Sequence, residues 1–394
     1  MYFSPIIPES ALWLLCAAFA CLAMLAAIYF FRVRTVVNYR RRADRERPDK
    51  PDAEFLPASV IIYSQGDADA LLEMLKTVLA QEYPAAYEVI VVNEGESADI
   101  RDTVSMLRAT HNNLYLTFTP EGVVNLSRKK LALTLGIKAA RYDVVVLTTT
   151  AAEITSPLWL RRMMRRFDKD GKVDIVLGYS YIDPDEDDAT GKRRRAFDYI
   201  ADSVRWLGVA IAGKPFRGTE YNLAYRKSVF FKNKGFSKTL HLKHGDDDLF
   251  INDVANRNNT AIELSIGSII EVPQSQPQAA HKISKLRYGY TAGKLRTGAR
   301  LFFGSCSLAW WLFTGCCIAL AIVGLPSFIP MITAAVLYLA LSVILALAWR
   351  TTSRALMSRS LLLTVPWFMT FEPIYNLWYR IKGFMKRGSN LSWN

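Results

Sequence analysis

Three long apolar segments set the first limit on how this chain folds. Ala11 to Phe31 contains no charged residue and is long enough, as a helix, to cross a hydrocarbon core of about 30 Å. Two further uncharged segments, 306–325 and 328–349, are separated only by Pro326 and Ser327. This spacing predicts a helical hairpin in a bilayer. The positive charges follow the first segment instead of preceding it, which predicts an uncleaved anchor and not a signal peptide.

Basic residues flank the same side of all three segments. They are Arg32, Arg34, Lys294, Arg296, Arg300, Arg350 and Arg354. Because positively charged flanks stay in the cytoplasm, residues 32–304 and the C-terminal tail are predicted to be cytoplasmic. The N-terminus and the hairpin turn are then predicted to lie on the opposite side of the membrane.

The last apolar stretch, 361–381, has two interpretations. It has the length of a fourth crossing, but it contains Pro366, Glu372 and Pro373. A fourth crossing would also move the basic tail out of the cytoplasm, against the charge bias. An interfacial or re-entrant segment is therefore favoured over a span.

The chain is strongly basic, with a formal net charge of +13, and its basic runs lie beside the apolar segments. This placement favours attraction to anionic lipids over binding of nucleic acid, for which no module signature is present. No cysteine occurs between Arg32 and Phe303, so a disulfide framework or a CxxC metal site is excluded there.

Between these membrane elements, apolar strand-like runs alternate with helical patterns. The runs ASVIIYS (58–64), YEVIVVNEG (87–95), NLYLTFT (113–119) and YDVVVLT (142–148) predict strands, and helical spacing follows the first three. Regular alternation of this kind predicts a doubly wound α/β sheet, in which ligands lie at the carboxyl ends of the strands.

Six stretches together resemble the membrane-anchored family-2 glycosyltransferases of bacteria. They are ASVIIYS, LLEMLKTVLAQEYP, YEVIVVNEGES, SRKKLALTLGIKAARYDVVVLT, PLWLRRMM and GDDDLFIN. The resemblance implies an α/β nucleotide-diphospho-sugar transferase-like domain of type A over 57–282. Around it we expect an anchor (1–34), a basic linker (35–56), a basic interfacial helix (283–304), a transmembrane hairpin (305–350) and an interfacial or re-entrant C-terminal segment (351–394).

The resemblance also implies where the chemistry lies. An inverting sugar transfer needs a carboxylate that takes a proton from the acceptor hydroxyl, and the family position falls on Asp246 with Asp247 beside it. Repulsion among adjacent carboxylates predicts a raised pKa for one of them. The alternative is that these acids cap the helix that follows, which is the role expected of Asp248 or a neighbour.

The other implied site residues divide into two groups. Candidates for donor binding are Glu94, Lys129, Lys130, Lys285 and Arg287; candidates on the acceptor side are Gly218 and Glu220. Glu94 could equally be a turn residue, and the two adjacent lysines could be a solvated helix start. Ser284 stands where many family members have glutamine, so this phosphate or acceptor element is only partly kept.

One family element is missing. Trp159 and Leu160 fix the alignment, and Thr149 and Ala151 then occupy the two aspartate positions that hold a divalent cation in the family. Because such cations need carboxylate oxygens, we expect no metal site and no cofactor here. Glu153 would reach the site only after a loop shift.

Two functions remain open from the sequence. One is a glycosyltransferase of the bacterial inner membrane, with a cytoplasmic catalytic domain and a periplasmic N-terminus. It would transfer a sugar from a nucleotide donor to a lipid-linked or envelope glycan acceptor, without a metal ion. The other is a catalytically inactive, glycosyltransferase-like subunit or scaffold of an envelope membrane complex. Expected partners are the donor, the acceptor, membrane lipids and other membrane proteins, but not nucleic acid.

Overall fold

A computed structural model describes residues 9–46, 51–120, 126–182, 191–273, 277–323, 328–358, 361 and 364–385. The strands are β1 (Ala58–Ser64), β2 (Tyr87–Asn93), β3 (Leu114–Phe118), β4 (Val144–Thr149), β5 (Ile175–Leu177), β6 (Ser180–Tyr181), β7 (Leu223–Arg226), β8 (Thr260–Ile262) and β9 (Ile270–Glu271). The helices are α1 (Glu9–Arg45), α2 (Ala68–Leu79), α3 (Ala98–Arg108), α4 (Arg128–Ala139), α5 (Trp159–Met164), α6 (Lys192–Ile211), α7 (Lys227–Lys232), α8 (Leu249–Val254), α9 (Pro277–Thr291), α10 (Thr297–Val323), α11 (Ile329–Ala355) and α12 (Val365–Met385).

The main sheet has seven strands in the order β3-β2-β1-β4-β7-β5-β8. Strands β1 to β4 are mutually parallel, and β7 is antiparallel to both of its neighbours. The predicted strands and the helices between them are confirmed within a few residues. The predicted type A α/β fold is confirmed as well, with a mixed, mainly parallel sheet.

The sheet is covered on both faces, which explains its unbroken apolar strands. Every residue of β1 is buried, including Ile61 and Ile62, which point to opposite faces. On the face of Ile61, Gly136 allows α4 to pack closely, because a Cβ there would lie 2.7 Å from Val92 Cγ2 and 2.8 Å from Ile61 Cγ2. The first four strands therefore end together at one edge, with α4 starting beside them.

Helices α1, α10 and α11 pack against one another in pairs. Two of the described helices, α1 and α11, are long and apolar enough to cross a membrane, and they suggest membrane association by length and composition. In α10 the corresponding apolar part, Leu308–Val323, is shorter. The third crossing thus stays a prediction, and its turn at Pro326 and Ser327 lies outside the described residues.

The N-terminal helix differs from the predicted anchor and linker. Helix α1 continues without a break to Arg45, so the expected boundary at residues 34 and 35 falls inside it. The cause is tertiary packing: Val33, Val36 and Val37 are buried, and α1 packs along α6, where Val36 approaches Gly208. The basic stretch as far as Arg45 is the end of a helix and not a flexible connection.

The predicted basic interfacial helix over 283–304 is also divided differently. Helix α9 ends at Thr291, a short 3-10 turn follows, and α10 begins at Thr297. Helix α12 packs mainly along α9, with further contacts to α11 and α6. The predicted segment therefore belongs to two helices, of which only α9 reaches the carboxyl edge of the sheet.

Candidate functional site

A cavity of about 1590 Å³ opens at the carboxyl ends of β1, β2 and β4. Its sheet end is lined by Gln65, Glu94, Arg128, Lys129 and Thr149–Ala151. It continues between α6, α9 and α12 to α1, α10 and α11, where Ile28, Leu308, Trp310, Trp311 and Trp349 line it. One space therefore connects the polar strand ends with the apolar helices.

At the sheet end, Lys129 lies between two carboxylates. Its Nζ is 2.6 Å from Asp246 Oδ2 and forms a second ion pair with Glu220. The three side chains are nearly buried. Lys129 comes from the start of α4 and Glu220 from the loop before β7, so residues far apart in the chain form one charge cluster.

Arg287 of α9 completes this cluster from the other side. Its guanidinium pairs with Glu220 and Asp247, and it lies 3.9 Å from Asp246 Oδ1. Tyr288 donates a hydrogen bond to Asp247 Oδ2 at 3.2 Å. The predicted residues Lys129, Glu220, Asp246, Asp247 and Arg287 are thus brought together, and we call these five residues the ion cluster.

Two glycines give the backbone room for this arrangement. Gly245 precedes the acidic run with φ +107°, a conformation that residues with a side chain rarely adopt. Gly218 donates its N–H to Asp247 O at 3.0 Å, and a Cβ there would lie 3.2 Å from Leu223. Asp248 caps α8, accepting from Leu249 N at 2.7 Å, so the capping role expected of one acid in this run is confirmed for it.

The two carboxylates of the run have opposite pKa shifts. Burial alone would raise the pKa of Asp246, but the charges of Lys129 and Arg287 hold it well below its ordinary value. Burial raises the pKa of Asp247, and the neighbouring acids add to the rise against the lowering effect of Arg287. One carboxyl group in the run therefore has a raised pKa, as its sequence predicts.

Asp246 lies one layer behind the cavity surface. Only 4 % of it is exposed, and Lys129, Glu220 and Arg287 line the cavity in front of it. Among the described residues, no donor lies within hydrogen-bond distance of its Oδ1. Asp246 therefore keeps one oxygen that can accept a proton, but access to it requires its ion-pair partners to move.

Lys130 is placed differently from the expectation that it binds the donor. It is fully buried, and its Nζ donates to the carbonyl oxygens of Thr239, Leu242 and His244 at 2.6, 3.2 and 2.8 Å. Burial lowers its pKa to about 8. As the third residue of α4, it points into the protein while Lys129 points to the cavity. Its ammonium holds the loop before the acidic run.

The remaining donor candidates line different parts of the cavity. Glu94 follows β2 at the sheet edge and accepts a hydrogen bond from the Tyr63 hydroxyl at 2.9 Å. Lys285 lies on α9, where its Nζ contacts Asn376 Oδ1 at 2.9 Å and Asp198 at 3.5 Å. Glu94 is thus at the sheet end, whereas Lys285 belongs to the wall formed by α6, α9 and α12.

The end of β4 does not provide ligands for a divalent cation. Thr149 Oγ1 accepts the backbone N–H of Ala151 at 3.1 Å, and Ala151 offers only a methyl group. Glu153 is bridged through its backbone to Glu271, with N–O distances of 2.7 and 3.1 Å, so a loop shift would break two hydrogen bonds. Nowhere in the described ranges do three or more His, Cys, Asp or Glu side chains form a possible ion site. These residues do not fit the metal that the fold family implies.

Some lining residues were not identified from the sequence. Arg128, the first residue of α4, is exposed and lines the cavity at its sheet end, and the described residues give it no ion-pair partner. Arg217 stacks 3.3 Å above the Tyr288 ring and pairs with Asp202 at 2.6 Å. Arg128 stands beside the two lysines in the sequence and could have been found there, but only the fold brings Arg217 to α9.

Comparisons with known proteins agree with this architecture. Residues 59–234 match the family described as Glycosyl transferase family 2. The mannosyltransferase PcManGT from Pyrobaculum calidifontis, solved in complex with GDP-Man and Mn2+, is similar with a TM-score of 0.55 and 19% identity, covering 93% of this chain and 99% of that chain.

More distant structures include glucosyl-3-phosphoglycerate synthase from Mycobacterium tuberculosis, with a TM-score of 0.39, 11% identity and coverage of 64% and 81%. No curated protein matches the sequence. Since the likenesses are below 25% identity, they bear on the fold alone. Residues 59–234 are thus similar to glycosyl transferase family 2, and they lie in a domain with the type A fold.

Proposed function

We propose that this protein transfers a sugar from a nucleotide donor to a lipid-linked or envelope glycan acceptor at a membrane surface. The observation that carries the proposal is the single cavity that runs from the strand ends to the apolar helices. A polar donor fits its sheet end, since ligands of such sheets bind at the carboxyl edge. An acceptor with an acyl or prenyl chain fits its other end.

The donor end would hold a nucleoside diphosphate without a metal ion. Glu94 is positioned to accept a hydrogen bond from the base or ribose, and Arg128 and Lys129 lie at the start of α4 with its partial positive charge. Arg128 supplies a charge that no carboxylate of the described residues pairs with. Positive side chains then replace the cation that the end of β4 does not bind.

In the proposed transfer, the acceptor oxygen attacks the anomeric carbon while the bond from that carbon to the diphosphate breaks. The hydroxyl proton passes to Asp246, whose Oδ1 has no hydrogen-bond donor among the described side chains. The Lys129–Asp246 pair, at 2.6 Å, must loosen for this step. Lys129, which is also paired with Glu220, then compensates charge on the leaving diphosphate.

The proposed location is the bacterial inner membrane, with the transferase domain in the cytoplasm and the N-terminus in the periplasm. The two apolar helices and the basic residues on one side of them support this orientation.

A specific observation also favours the second function, an inactive subunit of an envelope complex. The ion cluster contains three carboxylates and only two cations, and these cations are paired internally. Such a cluster does not attract a diphosphate by itself. A protein that lost sugar transfer could keep it as a structural connection between α4, α8 and α9.

Calorimetric titration of the purified full chain with a panel of nucleotide sugars separates the two functions. We expect saturable binding of one donor, equal in Mn²⁺ and in EDTA, and release of its nucleoside diphosphate when membrane lipid extract is added. Absence of binding across the panel would support the inactive subunit. Binding that requires Mn²⁺ would contradict our interpretation of Thr149 and Ala151.

A further inference from the structure

The outer face of α12 carries a continuous apolar stripe. Trp367, Ile374 and Trp378 are 65%, 53% and 54% exposed. At 100° per residue the stripe occupies one side of the helix, and no charged side chain interrupts it. Among the side chains of α12 that the structure describes, the large exposed apolar residues are Trp367, Phe371, Ile374, Leu377, Trp378, Ile381 and Met385.

The opposite face of α12 is fixed to the protein, so the stripe cannot turn inward. Glu372 is 4% exposed and pairs with Arg205 of α6. Near the other end, α12 and α9 pack backbone to backbone: a Cβ on Gly289 would lie 3.3 Å from Tyr379 O, and one on Gly383 would lie 3.4 Å from Leu286 O. Rotation of the helix would break a buried ion pair and these close contacts.

The stripe continues the apolar surface of a candidate membrane span. Helix α11 exposes Val336, Leu339, Val343 and Leu347, each at least half exposed. The Tyr338 hydroxyl of α11 and Thr370 Oγ1 of α12 are 2.8 Å apart, which joins the two helices. A surface that is apolar on both sides of this junction fits one occupant, the lipid bilayer.

The composition of α12 fits the boundary of a bilayer and not its centre. Two tryptophans belong to the stripe, and Lys382 Nζ lies 4.9 Å from the centre of the Trp378 ring, beside the apolar face. Tryptophan and lysine side chains of this kind are typical of the interface. Pro373 and the buried Glu372 lie in the middle of the helix, and α12 is not among the described helices that meet the criterion for a span.

We propose that α12 lies in the plane of the bilayer interface, with its stripe against the acyl chains. Because Glu372, Pro373 and Asn376 line the cavity from the inner face, α12 is then the wall between lipid and cavity. The same wall supports α9, which carries Arg287 of the ion cluster. Contact with lipid therefore stabilises the position of α9, whether or not the protein transfers a sugar.

Spin labels on the full chain in lipid nanodiscs test the lipid contact. The five cysteines, Cys16, Cys21, Cys306, Cys316 and Cys317, are replaced by serine, and a single cysteine is introduced as Ile374→Cys or Trp378→Cys. The matched control is Met106→Cys on α3, where Met106 is 58% exposed. We expect labels at 374 and 378 to collide more often with oxygen than with a water-soluble nickel chelate, and the label at 106 to show the reverse.

Two results would overturn the lipid contact. Preference for the nickel chelate at 374 and 378 would mean that water covers the stripe. Low collision rates with both reagents would mean that a protein covers it.

Hydrogen exchange tests the coupling to α9 without any label. Ile374→Glu places a charge in the stripe and should weaken the contact with lipid, so the amides of α9 should exchange several-fold faster in nanodiscs. Met106→Glu should leave α9 unchanged. Equal exchange of α9 in both variants would refute the support of α9 by lipid, even if the spin labels report acyl chains.

Discussion

Lys129 and Lys130 are adjacent residues, yet their ammonium groups lie in different environments. Successive side chains on a helix point about 100° apart, so one lysine at the start of α4 reaches the cavity and the other reaches the loop 239–244. Acidic partners keep Lys129 charged, whereas Lys130 has only carbonyl oxygens as acceptors. The same residue type therefore has two functions within one turn.

Replacing Lys130 tests its role in the loop. Lys130→Met removes three hydrogen bonds and leaves buried carbonyl oxygens without a donor, so we expect a loss of about 1–3 kcal/mol in the free energy of unfolding. Denaturant titration in detergent measures it. Lys138→Met, on the exposed side of the same helix, should change stability little. Equal stability of the two variants would contradict the structural role.

His244 gives a second residue-scale prediction, which concerns pH. Burial, with the positive charge of Arg287, lowers its pKa from 6.5 to about 4. Between these two values the unfolded chain binds a proton that the folded protein does not bind. Stability should therefore fall as the pH is lowered from about 6.5 towards 4.

The difference between wild type and His244→Gln isolates this effect, since the other titrating groups are common to both proteins. We expect the variant to lose less stability over the same pH interval. Parallel pH profiles of the two proteins would show that His244 is not the cause.

Asp246 is the residue on which catalysis depends in our proposal. Asp246→Asn keeps the shape of the side chain but cannot take a proton, so turnover should fall by about 10²–10⁴-fold with little change in donor affinity. Asp247→Asn serves as the comparison, because both oxygens of Asp247 are held by Arg287 and Tyr288. Wild-type turnover in both variants would rule out this run of acids as the source of the base.

At the scale of elements, the end of β4 is a regular strand although threonine and alanine stand where the family resemblance leads us to expect aspartates. Val144 to Thr149 are all buried, and β-branched residues are favourable in such a strand. Thr150 N still bonds to Tyr63 O at 3.0 Å, which keeps the turn beside β1. The strand and its turn therefore form without a carboxylate at Thr149 or Ala151.

Carboxylates introduced at Thr149 and Ala151 should make nucleotide binding depend on a divalent cation. In the double variant Thr149→Asp/Ala151→Asp, nucleotide binding should become stronger in Mn²⁺ than in EDTA. The control variant Thr149→Asn/Ala151→Asn has similar side-chain shapes without charge and should show no such difference. If the aspartate variant binds no nucleotide with or without Mn²⁺, the rest of the donor pocket is also lost, which favours the inactive subunit.

At the scale of the whole molecule, the single helix α1 connects the apolar helices to the α/β domain. The buried face of α1 packs on α10 and α11 and, further along the helix, on α6. Near the C-terminal end of α1, Arg40 and Asp44 form an ion pair. The domain is therefore held at a defined distance from the apolar helices, which keeps the cavity continuous with them.

The membrane topology gives the prediction for the whole chain. A reporter enzyme that is active only outside the cytoplasm should be inactive when fused after Asn394 and active when inserted between Pro326 and Ser327. The charge bias on the flanks is the physical reason. Activity of the fusion after Asn394 would place the tail in the periplasm and require a further crossing.

The sequence by itself determined the elements and the class of the fold. Local apolar periodicity predicts strands β1 to β4 and the helices that follow β1, β2 and β3. This periodicity depends only on residues that are neighbours in the chain. The acidic run at 246–248 and the absence of a carboxylate at Thr149 and Ala151 could also be read directly. To predict these features, it is nearly sufficient to know which residue stands at each position in the chain.

The tertiary structure alone decided which charges meet. Lys129 and Glu220 are 91 positions apart, and Arg287 and Asp247 are 40 positions apart. Ion pairs have no periodic signature, so the sequence could not show that Lys130 points away, that Asp246 is covered by its partners, or that α12 forms a wall of the cavity. These features depend on the packing of α4, α8, α9 and α12, which the local sequence does not encode.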